Sequence, residues 1–72
     1  MTKAPRNYYT LVSRETKGSP WVIEFGDYSR AVVADERNDM KDGDYCDHAF
    51  KILTTLDDQA SIDAAVAELN RS

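Results

Sequence analysis

The chain has 72 residues, 42% hydrophobic and 31% charged, with only three glycines and two prolines. That is the composition of a folded chain rather than a disordered one, with room for one domain and none for a large enclosed cofactor pocket. Thirteen acidic against nine basic residues leave a formal net charge of −4 and a pI of about 4.7, which argues against binding driven by phosphate contacts to clustered Lys and Arg.

Residues 1–7 are polar, contain Pro5 and read as a flexible N-terminal arm, which leaves 8–72 as a single α+β domain. Tyr8 to Arg14 is rich in strand formers, with Tyr9, Leu11 and Ser13 on one face and Tyr8, Thr10, Val12 and Arg14 on the other. Tyr9 and Leu11 are expected to face inward, with Tyr8 and Val12 on a partly exposed second face. Glu15 to Pro20 carries Lys-Gly-Ser-Pro turn chemistry, so this strand and the next form a hairpin. From Trp21 to Phe25, Trp21, Ile23 and Phe25 alternate with Val22 and Glu24, the period of a half-buried strand.

Gly26-Asp27 breaks that strand, and Asp27 or Ser29 can cap a helix over about Arg30 to Lys41. Val32, Val33, Glu36, Arg37 and Met40 recur at helical spacing, and Asp35, Glu36, Arg37, Asn38 and Asp39 make the outer face charged. Asp42-Gly43-Asp44 stops the helix, with Gly43 available for a left-handed cap. Tyr45 to His48 reads as irregular. Ala49 to Thr55 is a third strand, with Phe50, Ile52 and Thr54 facing one way and Lys51 and Leu53 the other. Thr55 or Asp57 then caps a final helix, Asp58 to Asn70, with Thr55-x-x-Asp58 as a variant capping box. Ile62, Ala65, Val66 and Leu69 form its apolar stripe.

The order β-β-α-β-α predicts an α+β fold, a three-stranded mainly antiparallel sheet with two helices on one face. Placing the third strand beside the first gives order 2-1-3, the arrangement preferred here. Beside the second it would run parallel through a right-handed crossover. The other face is then open, carrying Tyr8, Val12, Val22 and Leu53.

Asp39, Asp42, Asp44, Cys46, Asp47 and His48 place oxygen, sulfur and imidazole donors within one short stretch. The spacing fits neither common metal loop. Met40 fills a slot where a calcium loop needs an oxygen ligand, and a closed zinc site wants four Cys or His where this chain has one of each. Cys46 and His48, two apart on an extended segment, would point the same way, but nothing nearby supplies an oxyanion hole. No catalytic, cofactor-binding or metal-binding residue is therefore assigned, no cofactor is expected, and the protein is expected not to be an enzyme. Tyr8, Tyr9, Trp21, Phe25 and Tyr28 near Arg14 and Lys17 could stack single-stranded nucleic acid, though aromatics on a small sheet are more often core.

The segments YYTLVSRETKGSPWVIEFGDYSR, VVADERNDM and FKILTTLDDQASIDAAVAELN together resemble small uncharacterised proteins of tailed bacteriophages and prophages. Those proteins join a Tyr-Tyr strand and a W-x-x-x-FGDYxR segment to a closing ID-x-x-V-x-x-LN helix. The resemblance runs from Tyr8 to Asn70, except that Asp44 to His48 stands where basic residues are expected. It implies lineage rather than activity, and it implies an accessory protein that acts by binding another protein, with a host protein as the expected target.

The candidate contact residues are Tyr8, Asp27, Tyr28 and Arg30 at the strand-to-helix junction, with Asp35, Glu36 and Asp39 on the acidic helix face behind it. A second copy of the chain is a further candidate partner, through a sheet face or edge. The alternative is a small nucleic-acid-associated protein using Arg6, Arg14, Lys17 and exposed tyrosines. Cytoplasmic residence, in a host if phage-encoded, is the expectation. The single cysteine, Cys46, excludes an internal disulfide and suits a reducing compartment. No apolar run reaches membrane-spanning length, and MTKAPRN lacks the apolar segment of a signal peptide.

Overall fold

The computed structural model describes residues 6–71. Strands β1 (Asn7–Arg14) and β2 (Val22–Asp27) are followed by helix α1 (Arg30–Asp42), strand β3 (Ala49–Leu56) and helix α2 (Gln59–Arg71). The sheet is antiparallel in the order β2-β1-β3, so the third strand lies beside the first and the fold is the expected α+β one. Of the arm expected over residues 1–7, residues 1–5 lie outside the described residues, and Asn7 already pairs with Leu56.

β1 is central because its sequence suits burial on both sides. Large apolar residues fall on both of its faces, a pattern of strands covered above and below. Leu11 and Val12 are fully buried, and Thr10 and Ser13 are about 1% exposed. The second face, expected to be open, is therefore closed at its centre. Val12 pairs with Lys51 and is followed on its own face by Arg14. Both cations lie over the Trp21 ring, Arg14 at 4.5 Å and Lys51 at 5.6 Å from its centroid. Indole and cations together roof the face that holds Val12.

A β-bulge overturns the simple alternation of β2. Leu11 pairs with Phe25 but Val12 pairs with Ile23, which leaves Glu24 as an extra residue. Cross-strand partners share a face, so Ile23 and Phe25 lie on opposite faces instead of one. The Ser13 hydroxyl donates to the Glu24 carboxylate, which explains how a buried serine and an acidic side chain come to sit in a strand pair. Trp21 is core, at 6% exposed, while Phe25 is only half-buried.

Ser29 caps α1, accepting from the Val32 N–H at 3.4 Å, while the Asp27 carboxylate accepts from the Ser29 N–H at 2.8 Å. Val33 is the fully buried anchor of α1, whereas Val32 points outward, 43% exposed. Glu36 and Arg37 are half-buried rather than part of the outer face, because they follow Val33 at three and four residues. Gly43 does not form the expected left-handed cap, and no described residue has positive φ. Its N–H returns to the Met40 carbonyl, and consecutive turns from Gly43 to Cys46 and Tyr45 to His48 carry the chain into β3. α2 is capped by Asp58, not by Thr55 or Asp57: the Asp58 carboxylate accepts from the N–H and hydroxyl of Ser61. Thr55 instead belongs to β3 and donates to the Leu56 carbonyl.

Candidate functional site

The bulge and the cap converge on the end of β2. Gly26 there lies against Tyr8: a Cβ at position 26 would come within 2.5–2.9 Å of the Tyr8 ring atoms. Tyr8, expected to face outward, is half-buried by this contact and by an edge-to-face contact with Tyr28, centroids 5.0 Å apart. Arg6 lies over the Tyr28 ring, 4.6 Å from its centroid, and the Tyr28 hydroxyl donates to Asp57 at 3.0 Å. That hydrogen bond, followed by loss of hydration and the Asp57 charge, raises the Tyr28 pKa above its ordinary 10.0. Three of the candidate residues, Tyr8, Asp27 and Tyr28, thus meet at one junction, with Asp27 committed to the Ser29 N–H.

The others spread along α1. Arg30, Asp35 and Asp39 are exposed, and Glu36 turns toward the sheet. Among the described residues Arg30 has no carboxylate within ion-pair distance, neither Asp27 nor Glu24. Asp35 and Asp39, four residues apart, share one side of the helix and form a solvated acidic stripe.

The pattern that the sequence revealed only at Val22 is apolar. Six large apolar or aromatic side chains are exposed among the described residues, and four of them lie between the start of β2 and the first turn of α1: Val22 and Ile23 on β2, Tyr28 in the connecting turn and Val32 on α1. Val22 and Ile23 are 49% and 48% exposed. β2 is an edge strand, so among the described residues its outer N–H and C=O groups have no partner strand beside them. At the beginning of β2 a shallow groove of about 310 Å³ has Pro20, Val22 and Tyr45 among its apolar lining and Arg14, Glu15 and Glu24 among its charged lining.

Cys46 and His48 do not form a pair. The segment between them is turn rather than extended strand, and the His48 ring stands edge-on to Tyr45 at 4.8 Å with no hydrogen bond to the thiol. No group of three or more His, Cys, Asp or Glu among the described residues could hold a metal ion. No helix among them is long and apolar enough to cross a membrane. The basic residues divide between the two ends of the sheet: Arg6 packs on Tyr28, while Arg14 and Lys17 sit at the hairpin beside Trp21.

Comparison with protein-family models, with curated proteins and with solved structures gave no match.

Proposed function

We propose that the protein acts by binding another protein along the edge of β2, as an accessory module rather than an enzyme. What supports this is the run of exposed apolar side chains from β2 through the turn into α1, beside a strand whose outer edge pairs with no other strand among the described residues. An extended partner segment adding to that edge would gain main-chain hydrogen bonds from β2 and seat its side chains against Val22, Ile23 and Tyr28. β2 spans six residues, about 20 Å of strand, enough for a short peptide to register. The acidic stripe of Asp35 and Asp39 on α1, the helix that follows β2, favours a partner that also carries basic residues. The resemblance to phage accessory proteins makes a bacterial host protein the expected target.

Capture from nuclease-treated bacterial lysate tests this, with the wild-type chain and an Ile23→Lys variant compared side by side. Ile23 is half exposed, so lysine can be carried there with the fold intact, which the melting curve checks. The expected outcome is a stoichiometric protein held through nuclease and moderate salt by the wild type and lost from the variant. Equal capture by both chains, or capture abolished by nuclease, would overturn the assignment.

A further inference from the structure

The sheet has a second edge, on the side away from β2. β3 pairs with β1 along its whole length, from Ala49 with Arg14 to Leu56 with Asn7, without the register shift that marks β2. Among the described residues no strand lies on its other side. No residue of β3 is fully buried, although it carries Phe50, Ile52, Leu53 and Leu56, and Leu56 is 45% exposed. Edge strands are commonly guarded against further pairing by proline, a bulge or charged side chains. β3 has no proline and no bulge, and its only charged residue is Lys51.

The same strand running the other way complements this edge. Two copies paired antiparallel through it are related by a two-fold axis perpendicular to the sheet, so each residue meets one from its own face. With the axis at Thr54, Thr54 stands opposite its own copy, Leu53 opposite Thr55, Ile52 opposite the exposed Leu56, and Lys51 opposite Asp57. Threonine opposite threonine is a favourable cross-strand pair, and no like charges meet. Charge selects this register. Lys51 has no carboxylate within ion-pair distance among the described residues. It lies 5.6 Å from the Trp21 centroid, near the limit of a cation–π contact. Asp57 accepts from the Tyr28 hydroxyl and has no cation within ion-pair distance among the described residues. The two lie on one face. Lys51 pairs with Val12 and Thr55 with Tyr8, which share a face of β1, and Tyr8 packs on the Tyr28 that reaches Asp57. An axis at Leu53 would instead set Lys51 opposite the neutral Thr55.

We propose that β3 joins two copies of the chain into a symmetric dimer, with one continuous sheet in the order β2-β1-β3-β3-β1-β2. The Thr54 pair sits on the axis, and a Lys51–Asp57 ion pair closes each end of the seam. A chain whose buried apolar core among the described residues is Leu11, Val12, Trp21 and Val33 gains buried surface by such pairing. Both β2 strands stay free at the ends of the joined sheet, so the dimer neither needs nor blocks a partner there.

Sedimentation equilibrium measures the dimer, and charge placed at position 54 tests its axis. Thr54 is exposed, so a folded monomer can carry Thr54→Lys or Thr54→Glu, which circular dichroism checks. Either variant alone sets like charges opposite one another, and its dimer should be about tenfold weaker than that of the wild type. Mixed in equal amounts, the two variants should recover dimerisation, because lysine then faces glutamate across the axis. The wild-type dimer should also weaken as salt screens Lys51 from Asp57. A wild-type chain that stays monomeric would overturn the dimer. A mixture that associates no better than either variant alone would overturn the axis at Thr54, since any other register leaves position 54 facing a different residue.

Discussion

Tyr28 shows how one side chain is tuned by its neighbours. Its hydroxyl donates to the Asp57 carboxylate, and ionising the phenol would lose that bond and set two negative charges together. Because the folded-state pKa lies above 10.0, the contribution of this contact to stability is present below that pH and is lost as pH rises through the folded value. Resolved by NMR, Tyr28 should titrate above 10.0, and Asp57→Asn should bring it back toward that value. An unchanged midpoint in the variant would contradict the pairing. Gly26 is the second residue whose side chain, here its absence, sets the junction. Gly26→Ala would push the Tyr8 ring aside and open the Tyr8–Tyr28 contact. The expected cost is about 1–3 kcal/mol, read from denaturant unfolding. Neither feature was legible in sequence. Gly26 read as a strand breaker, and nothing about Asp57 announces a partner 29 residues away.

The elements divide by how local their causes are. The two helices and three strands follow from caps, turn residues and apolar spacing that lie within each segment, which is why their order and limits were readable to within a residue or two. The bulge at Glu24 was not, because it is a property of two strands in register. A period-2 reading of β2 alone puts Ile23 and Phe25 on one face, and only the pairing with Leu11 and Val12 reveals the slip. The docking of α2 was equally hidden. No residue of α2 is fully buried, and its end is fastened by the two hydrogen bonds between Asn70 and the main chain of Trp21.

Asn70→Ala leaves a part-buried Trp21 N–H unpaired, at a cost of about 1–3 kcal/mol. Amide exchange should then speed up throughout α2 while β1 stays protected; uniform acceleration of both would mean that Asn70 does not act as a local clasp. At the other end of α2, the hydroxyl and N–H of Ser61 hold the Asp58 carboxyl below its ordinary 3.8. The cap is therefore intact above that pH and lost as pH falls through the folded-state value. A measured midpoint at or above 3.8 for Asp58 would contradict the cap.

The molecule as a whole has a small core. Leu11, Val12, Trp21 and Val33 are the buried apolar residues among those described, and a domain this short has stability to spare only within a few kcal/mol. Leu11→Ala, at the crossing of all three strands, is expected to cost about 2–5 kcal/mol and to leave the chain largely unfolded at 37 °C by circular dichroism. Against that economy, the exposure of Val22 and Ile23 on β2, of Tyr28 in the turn after it and of Val32 in α1 is the feature on which the proposed binding surface rests. The sequence located part of this surface, through Tyr28, Asp27 and Arg30. It also placed Val22 on an open face and β2 at the edge of the sheet, but it missed Ile23, which the bulge turns to the face opposite Phe25.

The most direct measurement is amide hydrogen exchange on β2, made on the free chain and on its complex with the captured partner. If the partner adds to the β2 edge, the outward amides between Val22 and Asp27 should become slow to exchange, with those of β3 unchanged. Protection confined to β3 or α2, or no new protection on β2, would contradict the assignment of this edge as the binding surface.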